Sequence, residues 1–300
     1  MNASPPQAFS SRDFSTADPR SAYQTTLQRA VSLSGMGLHS GQPVELRLEP
    51  APAHSGIHFE RIDLPGSLPI PATLASVCNT TRATTLRRGA AQVSVVEHLL
   101  AACALLKLDN LNVKLSGPEL PIFDGSALPY YLTLRDEARL KTLHAPRTPW
   151  ILETPLRLEQ GNILAYAEPA PHFSLEISLS LSPQHGGEHR FLFSHTLSPD
   201  EVERTASART FGWLHEVEAL HHAGLALGGS LSNAVVLTEE GVLNPEGLRC
   251  PDELVRHKTL DALGDLMLLS PHLQGRFAFH RAGHHMHITL ARALEQAPHG

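Results

Sequence analysis

The stretch Val255-Arg256-His257-Lys258-Thr259-Leu260-Asp261-Ala262-Leu263-Gly264-Asp265 decides how the rest of the chain is read. As an α-helix it puts His257, Asp261 and Asp265 on one ridge, each about 40° around the axis from the last. Leu260, Leu263 and Met267 fall on another side, so polar ridge and apolar face are separated. A neutral imidazole and a carboxylate one turn apart can share a metal ion. The same spacing serves a solvated surface pair, so the remainder of the chain has to choose between the two.

The 300 residues are long for one core and comfortable for two. Hydrophobic residues are 42% and charged residues 18%, a globular rather than disordered balance. No apolar run approaches the roughly 20 residues of a membrane span. Met1 to Gln24 lacks the apolar segment of a secretory signal. The three cysteines form no CxxC pair, which fits a reducing cytoplasm. A net charge of −6 without a Lys/Arg run disfavours a nucleic-acid partner. Histidine is the unusual count, at 19. His221, His222 and His299 read as surface residues, and others are expected to be functional.

Along the chain, 1–24 is rich in Ser, Pro, Ala and Asp and is expected to be a disordered extension. A first domain is assigned to 25–140. Val44–Leu48, Ile57–Arg61 and Leu111–Leu115 read as strands. Gly35-Met36-Gly37-Leu38-His39-Ser40-Gly41 is a tight turn. Ser94 and Glu97 stand at capping-box spacing before an apolar helix through Leu106, and a second helix is expected over 127–140. The segment 141–150, with two prolines, reads as an interdomain linker, and 151–300 as a second domain. There, Phe173–Leu181 is the clearest strand. Ser198-Pro199-Asp200-Glu201 opens one helix and a short one runs from Leu214 to His222. Pro251-Asp252-Glu253 opens the long helix with acidic residues at its positive end. A strand over 276–280 and a helix from His287 to about Gln296 close the chain.

The two halves follow a similar order, strands and then a helix opened by Val-x-His, at Val96-Glu97-His98 and Val255-Arg256-His257. If these helices face each other, His98 becomes the third ligand beside His257 and Asp261. Two His, one carboxylate and an open position make a catalytic rather than structural zinc arrangement. Glu97, next to His98, would then stand beside the metal without binding it and could serve as general base, or it could simply cap its helix. His284 is the candidate for the opposite side of the reaction, as a cation that steadies an oxyanion and protonates the leaving amine. Asp265 could hold that imidazole charged.

With these blocks in this order the chain resembles the UDP-3-O-acyl-N-acetylglucosamine deacetylase family, the zinc amidases of lipid A biosynthesis. The resemblance spans about Thr26 to Leu294. It rests on Gly35–Gly41, Ser94–Leu99, Pro118–Ser126, Ala208-Arg209-Thr210-Phe211-Gly212, Leu227–Ser230, Val242–Asn244 and the long-helix stretch. It implies two α+β domains of duplicated topology with helices sandwiched between two sheets, and a small βαβ insert at about 211–236. It implies one Zn2+ per chain on His98, His257 and Asp261, Glu97 as base, and His284 backed by Asp265. Thr210 falls where the family places an oxyanion-binding hydroxyl, and Lys258 where an ammonium lines the site. Phe211, Leu214, Val217 and Leu220 would line an acyl-chain passage, although ordinary core packing would give the same spacing. Arg281 matches a residue contacting the nucleotide diphosphate, and Phe173 an aromatic near the uracil. The extension 1–24 departs from the family pattern, and His287 stands where many members have Asn.

The reaction so implied is hydrolysis of the N-acetyl group of UDP-3-O-(3-hydroxyacyl)-N-acetylglucosamine by a cytoplasmic hydrolase, an early committed step towards lipopolysaccharide. A zinc amidase of the same fold on another acylated amine is the alternative. The expected partner is the UDP-sugar alone, with no nucleic acid and no stable membrane insertion, acting on a monomer.

Overall fold

The computed structural model describes residues 22–194 and 196–297. The expected extension therefore lies outside the described residues up to position 21, as does His299. Tyr23 and Gln24, assigned to that extension, instead begin a strand, Tyr23–Leu27. The helices are α1 (Glu97–Leu106), α2 (Leu128–Leu132), α3 (Pro199–Ala206), α4 (Leu214–His222), α5 (Glu253–Leu266) and α6 (His284–Gln296).

Two five-stranded sheets share one pattern. In the first, the order is Val31–Met36, Pro43–Pro50, Leu111–Leu115, Ile57–Arg61 and Ile70–Pro71. In the second it is Leu156–Gln160, Ile163–Glu168, Arg276–His280, Ser174–Ser180 and Glu188–Ser194. In both, the central strand runs antiparallel to the second strand of the order and parallel to the fourth, while each outer pair is antiparallel. The central strand follows α1 in one half and α5 in the other. The duplication suggested by the two Val-x-His motifs is thus present in the topology.

Alternation sets which face each strand buries. Pro43–Pro50 buries Val44, Leu46 and Leu48 and exposes Glu45 and Arg47. These residues, Leu175 and Ile177 of the second sheet, and Leu99 and Leu263 of the helices belong to one apolar cluster. Every residue of α5 except Lys258 is buried, so the helix has cover on all sides. It packs on α1 and on the Ser174–Ser180 strand, which gives the α+β sandwich its middle layer.

Gly264 lets α1 and α5 meet. A Cβ there would lie 2.1 Å from the Glu97 carbonyl oxygen. A glycine inside a helix costs roughly 1 kcal/mol relative to alanine, and here the close crossing is its reason.

Several local expectations change. The 141–150 linker contains most of a strand, Leu140–Pro146, paired with Tyr23–Leu27. Asp109 pins this region by accepting from Thr25 N at 2.6 Å and from Arg147 at 2.7 Å, and by pairing with His272 of the second half. The helix expected over 127–140 is the short α2 followed by a π-helical turn, Thr133–Ala138. The capping box of α1 does not form. Val95, at φ 59°, turns the chain so that Ser94 Oγ meets Thr85 Oγ1 at 2.9 Å, and Glu97 reaches elsewhere. Ser198, by contrast, caps α3 as its sequence implies, accepting from Glu201 N.

Candidate active site

The crossing of α1 and α5 brings His98, His257 and Asp261 together. Their ligand atoms lie within 4.8 Å of one another, and all three side chains are buried. His257 Nε2 is 3.3 Å from Asp261 Oδ1 and His98 Nε2 is 3.9 Å from it. The two rings stand perpendicular, with centroids 5.2 Å apart. The Ala208 carbonyl accepts from His257 Nδ1 at 3.0 Å, which fixes the proton there and leaves Nε2 as a lone pair. Burial pushes the His98 imidazole down to about 3 and also lowers His257. Burial opposes the charge on Asp261, but His257 and Lys258 outweigh it and hold this carboxyl well below the usual range.

Two neutral imidazoles and a carboxylate thus converge, the His257 Nε2 lone pair and Asp261 Oδ1 beside His98 Nε2 with no hydrogen bond joining them among the described residues. Such a group is repulsive and poorly solvated until a cation sits among it, and the donor set fits a divalent metal. Lys258 Nζ donates to Asp261 Oδ2 at 2.9 Å, so one carboxylate oxygen is held while Oδ1 faces the histidines. The same ammonium lies 5.3 Å over the Phe211 ring.

A cavity of about 320 Å³ opens onto this group and is lined by Glu97, His98, Thr210, Phe211, His257, Lys258, Asp261 and His284, among others. Glu97 sits at the first position of α1, with Oε2 accepting from Thr84 N at 3.1 Å. Burial pushes its carboxyl up to about 7, against the pull of His284. His284 Nε2 is 3.9 Å from Glu97 Oε1, and its Nδ1 meets Asp265 Oδ2 at 2.8 Å. Burial opposes charge on this imidazole as well, but the Asp265 carboxylate wins and pushes it up to about 10. Asp265 lies behind the cavity and is not in the ligand group. A base that is half-ionised near neutrality and a lasting cation therefore stand on opposite sides of one small space.

His284 is the first residue of α6, and not a turn residue ahead of a helix starting at His287. Thr210 is set by its N–H to the Gly125 carbonyl at 2.7 Å. Its neighbour Arg209 is buried and bonds Glu253 of α5 through both backbone N and Nε. Glu253 stands in the first turn of α5, as its sequence implies, and in addition anchors the segment that carries Ala208 and Thr210.

The strands Phe211–Trp213 and Val235–Leu237 pair in parallel around α4, which forms the βαβ insert. It is fastened to the Gly35–Gly41 turn, where Gly228 N donates to Leu38 O at 2.9 Å. A Cβ on Gly228 would stand 2.3 Å from Gly37 O. That turn is itself held by Glu119, which accepts from His39 N at 2.7 Å and Ser40 N at 2.9 Å.

Not every expected binding residue meets the cavity. Phe211 does. Leu214, Val217 and Leu220 run outward along α4, with Leu214 46% exposed and the other two half-buried. Arg281 is exposed at the rim, two residues before Gly283 of the lining. Phe173 is placed differently. It lies just ahead of the Ser174–Ser180 strand and packs against Phe193 and Phe277.

Sequence reading also missed His39 and Arg82 of the lining. Arg82 bridges to Glu216 of α4 at 3.1 Å. Among the described residues no helix is long and apolar enough to cross a membrane.

Residues 24–296 match the LpxC family, described as UDP-3-O-acyl N-acetylglycosamine deacetylase. A UDP-3-O-acyl-N-acetylglucosamine deacetylase of Myxococcus xanthus (strain DK1622) is 41% identical, with 93% of this chain and 88% of the relative covered. One of Anaeromyxobacter sp. (strain Fw109-5) is 42% identical over 92% and 89%, and one of Helicobacter pylori (strain J99 / ATCC 700824) 41% over 90% of each chain. With the whole fold and both halves of the site inside the matched region, the chain belongs to the LpxC, UDP-3-O-acyl N-acetylglycosamine deacetylase, family.

Proposed function

We propose that this chain removes the N-acetyl group of UDP-3-O-(3-hydroxyacyl)-N-acetylglucosamine, giving acetate and a free amine, the deacetylation step of lipid A biosynthesis. The observation that carries this reading is the buried His98, His257 and Asp261 group flanked by Glu97 and His284 across one cavity, in a chain of this family. His98, His257 and Asp261 would hold one Zn2+ per chain. When bound, such an ion supplies a Lewis acid that polarises the acetyl carbonyl and makes water easier to deprotonate. Glu97 takes a proton from the water that attacks the carbonyl carbon. Cationic His284 and the Thr210 hydroxyl steady the negative oxygen that develops. As the C–N bond breaks, the amine nitrogen takes up a proton from His284, and acetate leaves. Lys258 keeps Asp261 oriented, and Asp265 keeps His284 charged.

Arg281 at the rim is suited to the diphosphate. The half-buried row of Phe211, Val217 and Leu220, with Leu214 beyond it, is suited to the acyl chain. Phe173, packed beside Phe193 and Phe277, is assigned to the uracil end of the substrate. We also propose that 25–140 and 151–300 act as two domains, neither active alone, because each supplies part of the metal group.

The direct test is release of acetate from the UDP-acylated sugar by metal-loaded protein. Turnover should fall sharply when the acyl chain is removed from that sugar. Equal turnover without the chain would favour another acylated amine as substrate.

Two further outcomes are expected. Replacing His257 by Ala lowers bound zinc well below one per chain by metal analysis, and unchanged occupancy would remove it from the ligand set. The pH profile of kcat/KM is bell-shaped. Activity rises as Glu97 loses its proton, whose metal-free value is about 7, and a cation in the cavity moves that limb lower. It falls as His284 loses its proton, at a pH that the same cation moves down from the metal-free value of about 10. A profile that keeps rising beyond pH 10 would show that no protonated His284 is required.

A further inference from the structure

Asp265 is more heavily used than one partner would require. Its Oδ1 accepts from Thr84 Oγ1 at 2.6 Å. Its Oδ2 accepts from two imidazoles, His284 Nδ1 and His287 Nδ1, each at 2.8 Å. His284 and His287 lie three residues apart on α6, which places them on one face, with ring centroids 6.1 Å apart. All four side chains are buried.

The two histidines differ in what their other nitrogen meets. His284 Nε2 faces Glu97 and the cavity. Among the described residues His287 Nε2 is buried with no hydrogen-bond partner, and the ring packs edge-on against Phe279 at 4.6 Å. A second proton on His287 would create a buried N–H donor with nothing to receive it. The ring is therefore a neutral donor whose proton is fixed on Nδ1 by the carboxylate.

We infer that His287 is a positioning residue for the deacetylation reaction: its Nδ1–H and the Thr84 hydroxyl lock the Asp265 carboxylate in the orientation that presents Oδ2 to His284. An ionised carboxylate oxygen has two lone-pair directions, and the two imidazoles fill both. Without His287, one direction is empty in a dry interior and the carboxylate can turn about its terminal torsion. His284 then loses its fixed aim at the reacting carbonyl, while the metal group on α1 and α5 is untouched. This inference rests on the role proposed above for His284.

The test has two parts. In the full-length, metal-loaded protein with isotope-labelled histidine, nitrogen chemical shifts at neutral pH should show His287 neutral with its proton on Nδ1. A proton on Nε2, or a charged ring, overturns the inference, and this reading requires no variant. Second, His287→Leu should lower kcat on the order of 10-fold, with KM and metal per chain near native. His287→Asn, which retains an N–H donor, should recover most of that loss. A role in packing alone would lower thermal stability in both variants and leave no rescue. Native kcat in His287→Leu, with activity lost in His284→Ala, would overturn the inference while leaving the reading of the site intact. Native kcat in His284→Ala would instead overturn that reading, and with it the part assigned to His287.

Discussion

Replacing Glu97 by Ala lowers kcat on the order of 10²–10⁴-fold while zinc per chain stays native, because the loss is that of a general base. Glu97 is outside the His98, His257 and Asp261 group, so removing it takes no ligand away. Its carboxylate is held by Thr84 N and faces His284 across the cavity. Burial raises its proton affinity and the bound cation lowers it again, so the carboxylate is ionised and still basic enough to accept a proton. His284 keeps Asp265 in the variant, so the cationic side of the site survives. Replacing Glu97 by Gln separates base from shape, since the amide oxygen can still accept from Thr84. Both variants should fail alike in kcat, with KM little changed. Native turnover in either one, or metal lost in parallel with activity, would end the assignment.

How much of this site can be read from the sequence depends on how local each signal is. His257 and Asp261 share a ridge of one helix, and periodicity alone finds them. His98 required the two halves to be recognised as related, which the repeated Val-x-His made possible. What holds these residues in place is less visible. Thr84 supports both Glu97, through its N–H, and Asp265, through its hydroxyl, although 181 positions separate it from the latter. No spacing rule connects positions that distant. Arg209 and Glu253, 44 positions apart, are similar; the acidic residue at a helix start has an adequate local explanation that hides the tertiary one. Ser94 fails the other way. Its spacing to Glu97 satisfies the capping pattern, but the left-handed Val95 sends the side chain to Thr85. The Leu140–Pro146 strand exposes most of its side chains, so alternation is weak, and Pro146 with Pro149 just beyond it reads as a break. Phe173 was assigned by resemblance only, and its neighbours Phe193 and Phe277 belong to strands that a linear reading does not align.

Gly264→Ala should be strongly damaging although it lies away from the cavity. On propensity alone the change would stabilise α5 by about 1 kcal/mol. The added Cβ would stand 2.1 Å from the Glu97 carbonyl oxygen, a backbone atom with no rotamer to escape into. Reaching an ordinary contact requires α1 and α5 to separate by more than 1 Å, and overpacking of this kind typically costs about 1–3 kcal/mol. Strain therefore outweighs propensity, and the denaturant midpoint should fall at unchanged slope. The functional loss should be larger than the loss of stability. The crossing at Glu97 and Gly264 also sets His98 against His257 and Asp261, and Glu97 against the substrate. A displacement of about 1 Å at reacting groups can cost on the order of 10²-fold in rate. Folded Gly264→Ala protein should accordingly show weakened zinc binding and at least that loss in kcat, since one displacement moves a ligand and the base together. A variant with a native midpoint and native turnover would mean that the two helices can part without disturbing the site. The cavity would then owe its geometry to the surrounding loops, and not to the place where the two halves of the fold cross.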